Sequence, residues 1–219
     1  EIVQSRTLPS DAEPQSAATD EGLMAEKSPD HYQFKGKYIM TAVKSGLMII
    51  DLRRAHIRIL YERYLAQMAD HHSCPQQLTF PEALHITPAD GNVLASVMTE
   101  MQSLGFELSD LGGNTYAVNA VPSGLEGVNC INLLQDLIAS ARDVSSSSAA
   151  SVDATLVSNV NHELALGMAR GAAIGYGEVL SNEETIINSL FACSNCNYTP
   201  DGKKILAVYR QTDMEQLLG

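Results

Sequence analysis

The sequence predicts an α+β fold in two subdomains, because strand-like and helical segments follow one another in an interrupted order. The first part of the chain reads strand, strand and helix, the middle mixes both kinds, and the end reads helix, strand and helix. Such an order is typical of folds in which both ends pack together around an inserted middle. We therefore expect a sheet-and-helix subdomain from residues 32–66 and 178–219, and an inserted α/β subdomain from residues 67–177.

The composition predicts a cytoplasmic globular protein. A chain of 219 residues can bury a sizeable core, and no apolar run in it approaches the roughly 20 residues that a membrane span needs. The four cysteines lack the spacing of a disulfide framework, which favours a reducing compartment. The net charge of -12 at pH 7 argues against direct binding of a DNA backbone, because phosphate binding requires clustered Lys and Arg.

Residues 1–31 are rich in Ser, Asp, Glu, Ala and Pro and show almost no apolar periodicity. Such a segment cannot bury enough apolar surface to offset the entropy lost on ordering, so we predict a disordered linker tail. A tail in this position also suggests a fragment whose missing part lies upstream.

The segment after the tail predicts a β-hairpin followed by a helix. "YQFKGKYIMTAV" and "SGLMIID" are strand-like, and residues 44–46 between them can form a tight turn. Asp51 stands where a helix N-cap belongs, and apolar residues recur after it at helical spacing. We expect this helix to end near Met68.

The middle of the chain predicts three helices and a strand. "NVLASVMTEMQSLGF" places its apolar residues on one face of a single helix that stops at Gly105. "YAVNAVP" alternates as a strand, "VNCINLLQDLIASAR" is an amphipathic helix, and the serine run 145–148 predicts a flexible connector. Gly167, Gly171 and Gly175 leave one face of the third helix bare for close packing. A phosphate loop is the alternative, but the GxGxxG and GxxxxGK[ST] patterns are absent.

The end of the chain predicts two capped helices around a strand. Ser181 with Glu184 has the spacing of a capping box for a helix through about Phe191, and Thr212 with Glu215 repeats that spacing. Between the two helices, "TPDG" predicts a turn and "KILAVYR" a strand.

"IIDLRRAHIRILYERY" resembles the signature of the MutL family of DNA mismatch repair proteins, in whose C-terminal domain a strand runs into a helix reading DQHAxxExxxxE. The preceding hairpin, the "YAVNAVP" strand, the Ala/Gly-rich helix near Arg170 and the "TPDGKKI" ending support this resemblance over residues 32–219. It implies a homodimerisation subdomain from both chain ends and a regulatory subdomain from the middle. ATP binding would belong to an absent N-terminal domain, so no cofactor is expected here.

The resemblance also implies that an endonuclease site has degenerated. In nicking members, the His and the middle Glu of the motif share a metal ion from one helix face. Here Arg53 and Ile57 occupy those positions, whereas Asp51 and Glu62 survive. Two carboxylates about 16 Å apart along a helix cannot chelate one ion. We therefore interpret Asp51 as an N-cap and Glu62 as a solvated side chain.

The other two metal-binding segments of the family have lost their ligands as well. They match residues 199–204 and 168–170, without the Cys and His of the nicking members. Arg53 and Arg54 would in addition repel a divalent cation. We expect a non-nicking member without a metal site.

Three alternatives remain open at this stage. The first is a metal-dependent nicking endonuclease with a divergent site made by Asp51, Glu62 and Asp201. A zinc site is the second, since "CSNC" at Cys193 and Cys196 supplies two thiols, but a second ligand pair at defined spacing is missing. The third is an unrelated α+β interaction domain, which a failure to dimerise would favour.

"QQLTFP" has the form Gln-x-Leu-x-aromatic-Pro and resembles the segment by which family members contact the DNA sliding clamp. Gln76 would supply a hydrogen-bonding anchor, while Leu78, Phe80 and Pro81 would enter an apolar pocket of the clamp. The alternative is an ordinary strand start in which Leu78 and Phe80 face the core, and the two interpretations have about equal weight.

The resemblance implies a set of partners for this domain. They are a second copy of the chain, the sliding clamp, the mismatch-sensing MutS protein and a downstream repair nuclease or helicase. DNA would be contacted only indirectly, and no membrane contact is expected.

Overall fold

The computed structural model describes residues 31–71, 73–125, 127–147, 154–175 and 182–219. The predicted tail falls outside these residues except for His31, which begins the first strand. The described residues form two antiparallel sheets and seven helices, which confirms the predicted α+β class. In chain order the elements are β1 (His31–Phe34), β2 (Tyr38–Val43), β3 (Gly46–Asp51), α1 (Leu52–Asp70), β4 (Pro75–His85), α2 (Pro88–Ser96), α3 (Met98–Leu104), β5 (Glu107–Gly112), β6 (Thr115–Pro122), α4 (Cys130–Ser147), α5 (Ala154–Gly175), α6 (Glu183–Ala192), β7 (Leu206–Arg210) and α7 (Gln211–Leu218).

The first sheet has the strand order β1-β2-β3-β7 and combines the start and the end of the described chain. The stretch "YQFKGKYIMTAV" is two strands, because a turn with Lys35 and Gly36 at positive φ folds β1 back onto β2. One face of the sheet packs against α1 and α6 to form the first core. Its buried apolar residues are Ile39, Met48, Ile50, Leu52, Ala55, Ile186, Ile187, Leu190 and Ile205.

The predicted hairpin between β2 and β3 is confirmed, with Val43 opposite Gly46. Gly46 has a φ of +142°, and a Cβ at this position would overlap the carbonyl oxygen of Tyr209 on β7. Glycine is therefore required both by the backbone conformation and by the close approach of β7.

Helix α1 begins as predicted, because the side chain of Asp51 accepts a hydrogen bond from the amide of Arg54 at 3.0 Å. The helix ends at Asp70, near the predicted end. Its first turns contribute to the first core, and its later residues, from Leu60 to Met68, belong to a second core. The predicted boundary between residues 66 and 67 therefore falls within a continuous helix.

The second core lies between the second sheet, of order β4-β6-β5, and helices α1 to α5. Its fully buried large side chains are Leu84, Leu94, Met101, Leu104, Phe106, Leu134, Leu137, Ile138, Leu164 and Met168. The prediction of a single helix for "NVLASVMTEMQSLGF" is wrong. The helix breaks at Val97 and gives two helices, α2, which is capped by Thr87, and α3. The predicted stop at Gly105 is confirmed by its left-handed conformation.

Helices α4 and α5 pack closely at the two glycines predicted to allow it. A Cβ at Gly167 would lie 2.7 Å from Leu137 Cδ2, and one at Gly171 would lie 2.8 Å from Leu133 Cδ1. The third glycine, Gly175, is the last residue of α5. The prediction of a flexible connector is wrong for residues 145–147, because they form the last turn of α4. Ser148 lies outside the described residues.

The caps of the last two helices differ from the prediction. Ser181 lies outside the described residues, and Asn182 caps α6 by accepting a hydrogen bond from the Glu184 amide. Helix α7 begins after Arg210, whose amide donates to Asp213, so the predicted pairing of Thr212 with Glu215 is wrong. None of the helices in the described part of the chain combines the length and apolar character that a membrane span requires.

Candidate functional site

Three segments that are far apart in the sequence meet where the first core adjoins the second. They are the first half of α1, Arg170 on α5, and the turn at residues 199–204. Arg54 Nη1 donates to the Lys204 carbonyl oxygen at 2.6 Å, and Arg170 Nη2 lies 3.1 Å from Asp201 Oδ2. The sequence segments matched to the three parts of the family's metal site are thus neighbours in space.

The surviving Asp51 is engaged at the start of α1. Besides capping the helix, its Oδ2 lies 3.6 Å from Arg54 Nε, and its amide donates to the Ile205 carbonyl oxygen. Arg53 is exposed, whereas Arg54 is half-buried. That Arg53 and Arg54 would repel a divalent cation stays a prediction.

The carboxylate of Glu62 is held by other side chains of the protein. The interpretation of Glu62 as a solvated side chain is therefore wrong. Its carboxylate lies 2.8 Å from Arg58 Nη2 and accepts hydrogen bonds from both the amide and the hydroxyl of Ser194. Burial alone raises the pKa of Glu62, but these hydrogen bonds and the charge of Arg58 outweigh it and lower the pKa. Arg58 also donates to the Ser194 hydroxyl at 2.7 Å, so the three side chains form one cluster.

Asp201 forms a second cluster of the same kind. Its carboxylate is paired with Arg170 and with Lys203 Nζ at 2.9 Å, and it accepts a hydrogen bond from the Thr199 hydroxyl. Burial raises the pKa of Asp201, but the three hydrogen bonds and the charge of Lys203 bring it far below its ordinary value. The carboxylate is therefore ionised throughout the neutral range.

The "CSNC" segment follows α6 beside the Glu62 cluster. Burial and the neighbouring Glu62 charge raise the pKa of Cys193 to about 11, and its thiol donates to the Ser189 carbonyl oxygen. Cys196 packs against the first core. Within residues 31–71, 73–125, 127–147, 154–175 and 182–219, no three His, Cys, Asp or Glu side chains are placed to share a metal ion.

The outer face of the first sheet is mostly apolar. Side chains of paired residues in antiparallel strands share a face, so the register places ten residues opposite the side that packs on α1 and α6. Tyr32, Phe34 and Tyr209 on this face are 63%, 38% and 48% exposed. The outer sheet face consists of Tyr32, Phe34, Tyr38, Met40, Ala42, Leu47, Ile49, Asp51, Ala207 and Tyr209.

The "QQLTFP" segment bulges from an edge of the second sheet. Gln76 and Gln77 pair with β6, the pairing resumes at Glu82, and the residues between them leave the ladder. Gln76 is exposed, and Leu78 is half-buried against the second core. Phe80 is 82% exposed, and Pro81 beside it is exposed as well.

A comparison with known protein families decides which family these features belong to. The model of the MutL C-terminal dimerisation domain matches residues 31–165. The chain belongs to the MutL C-terminal dimerisation domain family. The resemblance found in the sequence is thereby confirmed.

Similar proteins agree with this family. The DNA mismatch repair protein MutL of Bacteroides fragilis is 41% identical over 94% of this chain, and that of Phocaeicola vulgatus is 43% identical over 90%. The MutL protein of Porphyromonas gingivalis is 35% identical over 84% of this chain. The matched regions make up 32%, 31% and 28% of these relatives, so the chain spans about a third of their length.

In this MutL domain, two positions of α1 correspond to metal ligands of the nicking members but carry other residues, and the surroundings of these two positions differ. Arg53 is exposed, and Ile57 packs against the second core as a partly buried apolar residue. Asp51 and Glu62, by contrast, each pair with an arginine on α1. The helix thus retains two carboxylates of the motif, each with a cationic partner.

Several contacts in the domain were missed by sequence reasoning. Arg58 and Glu62 have the i, i+4 spacing of a helical ion pair, which could have been noticed, but Ser194 lies 132 residues beyond Glu62. His162 Nδ1 lies 2.7 Å from the hydroxyl of Tyr61, which is 101 residues earlier in the chain. His85 likewise has a partner, since its Nδ1 lies 3.0 Å from Thr115 Oγ1.

Proposed function

We propose that this chain is the C-terminal homodimerisation and regulatory domain of a bacterial MutL mismatch repair protein, where it tethers two ATPase arms. The observation that carries the proposal is the outer sheet face, on which nine of the ten residues are uncharged and the tenth, Asp51, is 14% exposed and paired with Arg54. A sheet packed on one side only normally carries polar residues on its other side. An apolar face in that position is typical of a protein interface.

The occupant that we propose for this face is a second copy of the same chain. Homodimers are mostly twofold symmetric, so one patch must be complementary to itself. A mostly apolar patch meets this condition, because its one charged residue, Asp51, lies at the end of β3 and is paired with Arg54. Aromatic residues such as Tyr32, Phe34 and Tyr209 are common in the centres of such interfaces.

Light scattering of the purified chain over a hundredfold concentration range tests this proposal. We expect twice the chain mass, and we expect Ile49→Asp, in the middle of the outer sheet face, to give a monomer. Leu111→Asp is the matched control, since Leu111 is 63% exposed on β5 of the other sheet. A monomer for the unmodified chain at every concentration, or a dimer unaffected by Ile49→Asp, contradicts the proposal.

Each of the two cores belongs to a different subdomain, and we assign a different role to each subdomain. The first core and the outer sheet face, with residues 32–66 and 178–219, would form the dimerisation subdomain. Residues 67–177, which build most of the second core, would form the regulatory subdomain. Because α1 belongs to both cores, it would transmit the position of one subdomain to the other.

The sliding clamp is the partner that we propose for "QQLTFP". The bulge between Gln77 and Glu82 presents Phe80 and Pro81 outside the sheet, and Gln76 is accessible beside them. Extended segments with a polar anchor and an aromatic residue dock into surface grooves in this way. The other proposed partners are the mismatch-sensing MutS protein and a downstream nuclease or helicase, through which DNA would be engaged.

We also propose that the domain does not nick DNA and holds no metal ion. Asp51, Glu62 and Asp201, the three carboxylates of the alternative endonuclease site, each bind at least one cationic side chain. A divalent ion would have to displace these partners before it could be coordinated. Incubation of the chain with supercoiled plasmid and Mn²⁺ tests this proposal, and nicking that depends on Glu62 would overturn it.

A further inference from the structure

The two apolar side chains at the centre of "QQLTFP" face different ways in the domain. Leu78 is half-buried against the second core and lines a cleft of about 260 Å³, together with Gln76, Val121, Leu125 and Val128. Phe80 is 82% exposed. In an extended peptide, residues two apart point to the same side, so both side chains would enter one groove of a partner. The folded domain therefore does not present the segment in the form that docks.

Contacts with β6 and β5 hold the first half of the segment in the second sheet. Gln76 and Gln77 pair with Val121 and Ala120 of β6. The side chain of Gln77 reaches β5, where its Nε2 donates to Glu107 Oε2 at 2.8 Å. Gln77 is not one of the side chains that we expect to enter the clamp, so its hydrogen bond with Glu107 belongs to the free domain.

We propose that this hydrogen bond and the pairing with β6 latch "QQLTFP" in the free domain, and that the segment leaves β6 when it docks into the sliding clamp. The inference rests on the proposed clamp contact and names the step that regulates it. Release lets residues 76–80 become extended, which brings Leu78 out of the cleft and onto the same side as Phe80. The apparent clamp affinity is then reduced by the fraction of domains in which the segment is latched.

The position of β4 keeps this release local. β4 is an edge strand in the order β4-β6-β5, so β6 keeps its other neighbour when the segment leaves. The three residue pairs from Pro75 to Gln77 are lost, whereas the pairing from Glu82 to His85 continues beyond the bulge. The bulge therefore separates a removable part of β4 from a part that stays anchored.

Isothermal titration of the sliding clamp with the unmodified chain and three variants tests the latch. Gln77→Ala and Glu107→Ala each remove the hydrogen bond, and we expect each variant to bind the clamp about threefold more tightly, a change of the size that one hydrogen bond allows. Glu107→Gln is the matched control, because it loses the same charge but keeps an oxygen that can accept from Gln77. It should bind the clamp more weakly than Glu107→Ala.

A synthetic peptide of residues 75–83 supplies a second control, because it has no β6 to leave. Gln77→Ala should change the clamp affinity of this peptide by less than about twofold, since no hydrogen bond to Glu107 is lost. A loss of clamp affinity on Gln77→Ala in both the peptide and the chain would show that Gln77 contacts the clamp itself, and it would overturn the latch.

Amide hydrogen exchange follows the release in the unmodified chain. On clamp binding, residues 76–81 should exchange more slowly, because the clamp covers them. Residues 120–122 should exchange faster, because they lose their partners on β4. Residues 115–118 pair with the part of β4 beyond the bulge, so their exchange should not change.

The outcomes separate the latch from the clamp contact on which it rests. Clamp binding that leaves the exchange of residues 120–122 unchanged, or alanine variants that bind no more tightly than the unmodified chain, would show that the segment docks in place and would overturn the latch. Absence of clamp binding by both the chain and the peptide overturns the clamp contact, and the latch with it. Binding by the peptide and not by the chain supports the latch where Glu107→Ala restores binding, and overturns it where it does not.

Discussion

Arg170 Nη2 lies 3.1 Å from Asp201 Oδ2, and this ion pair joins helix α5 of the second core to the turn that precedes β7 of the first sheet. The carboxylate is shared with Lys203 and Thr199, so four side chains fix the turn. Together with the Arg58–Glu62–Ser194 cluster, the pair ties residues from different parts of the chain to the same junction. Polar contacts therefore supplement apolar packing where the two cores meet.

Replacement of Asp201 by Asn should lower the free energy of unfolding by about 1 to 2 kcal/mol at pH 7, since charge-assisted hydrogen bonds are lost. Urea unfolding followed by circular dichroism measures the change. Asp213→Asn is a control, because Asp213 lies on the short helix α7 and its carboxylate accepts only from the amide of exposed Arg210 among the contacts of the described residues. An Asp201→Asn loss no larger than that of the control would argue against a stabilising role.

The low pKa of Asp201 predicts a specific dependence of stability on pH. A carboxyl whose pKa is lower in the folded than in the unfolded state stabilises the fold above its unfolded pKa of about 4 and loses this contribution as the pH falls. The stability of the unmodified chain should therefore decline below about pH 5. In Asp201→Asn the decline should be shallower, and parallel pH curves for the two proteins would contradict the assignment.

The buried Arg58 gives a second prediction about the same junction. Arg58→Ala would leave the Glu62 carboxylate without its cation in a half-buried place, so we expect a loss of about 2 to 4 kcal/mol in the free energy of unfolding. Arg63→Ala on the exposed side of α1 should change it by less than about 0.5 kcal/mol. Equal effects in urea unfolding would show that the cluster adds nothing to stability.

Local signals were sufficient for much of the first sheet and for the start of α1. The hairpin turn at residues 44–46 and the Asp51 cap depend on residues within a few positions of one another. The break at Val97 was missed, because apolar periodicity continues through it from α2 to α3. The contact of Glu62 with Ser194 spans 132 residues, and no periodic pattern encodes such a pairing.

Because α4 and α5 pack closely, replacing glycine by alanine should have opposite effects on stability at two helix positions. Gly167→Ala brings a Cβ to 2.7 Å from Leu137 Cδ2 in the second core, and we expect a loss of about 1 to 3 kcal/mol from overpacking, reduced by better helix propensity. At Gly91 in α2 the nearest atom would be Asn114 Oδ1 at 3.5 Å, so Gly91→Ala should stabilise by up to about 1 kcal/mol. Thermal unfolding compares the two, and a stabilising Gly167→Ala would contradict the close packing.

Two apolar side chains of the "QQLTFP" segment lie in different surroundings. Substitutions there can therefore distinguish an effect on clamp binding from an effect on the free energy of unfolding. Phe80 is 82% exposed, so Phe80→Ala should change the free energy of unfolding by less than about 0.5 kcal/mol. If Phe80 enters the pocket of the clamp, the same change should weaken clamp binding at least about tenfold. Surface plasmon resonance with immobilised bacterial sliding clamp measures this loss.

Leu78 and Leu111 supply the controls for that experiment. Leu78 packs against the second core, so Leu78→Ala should lower the free energy of unfolding by about 1 to 2 kcal/mol in addition to any effect on clamp binding. Leu111→Ala removes an exposed apolar side chain from the same sheet and should leave clamp binding unchanged. If Phe80→Ala and Leu111→Ala bind the clamp equally well, the segment is a strand whose bulge exposes a phenylalanine without clamp function.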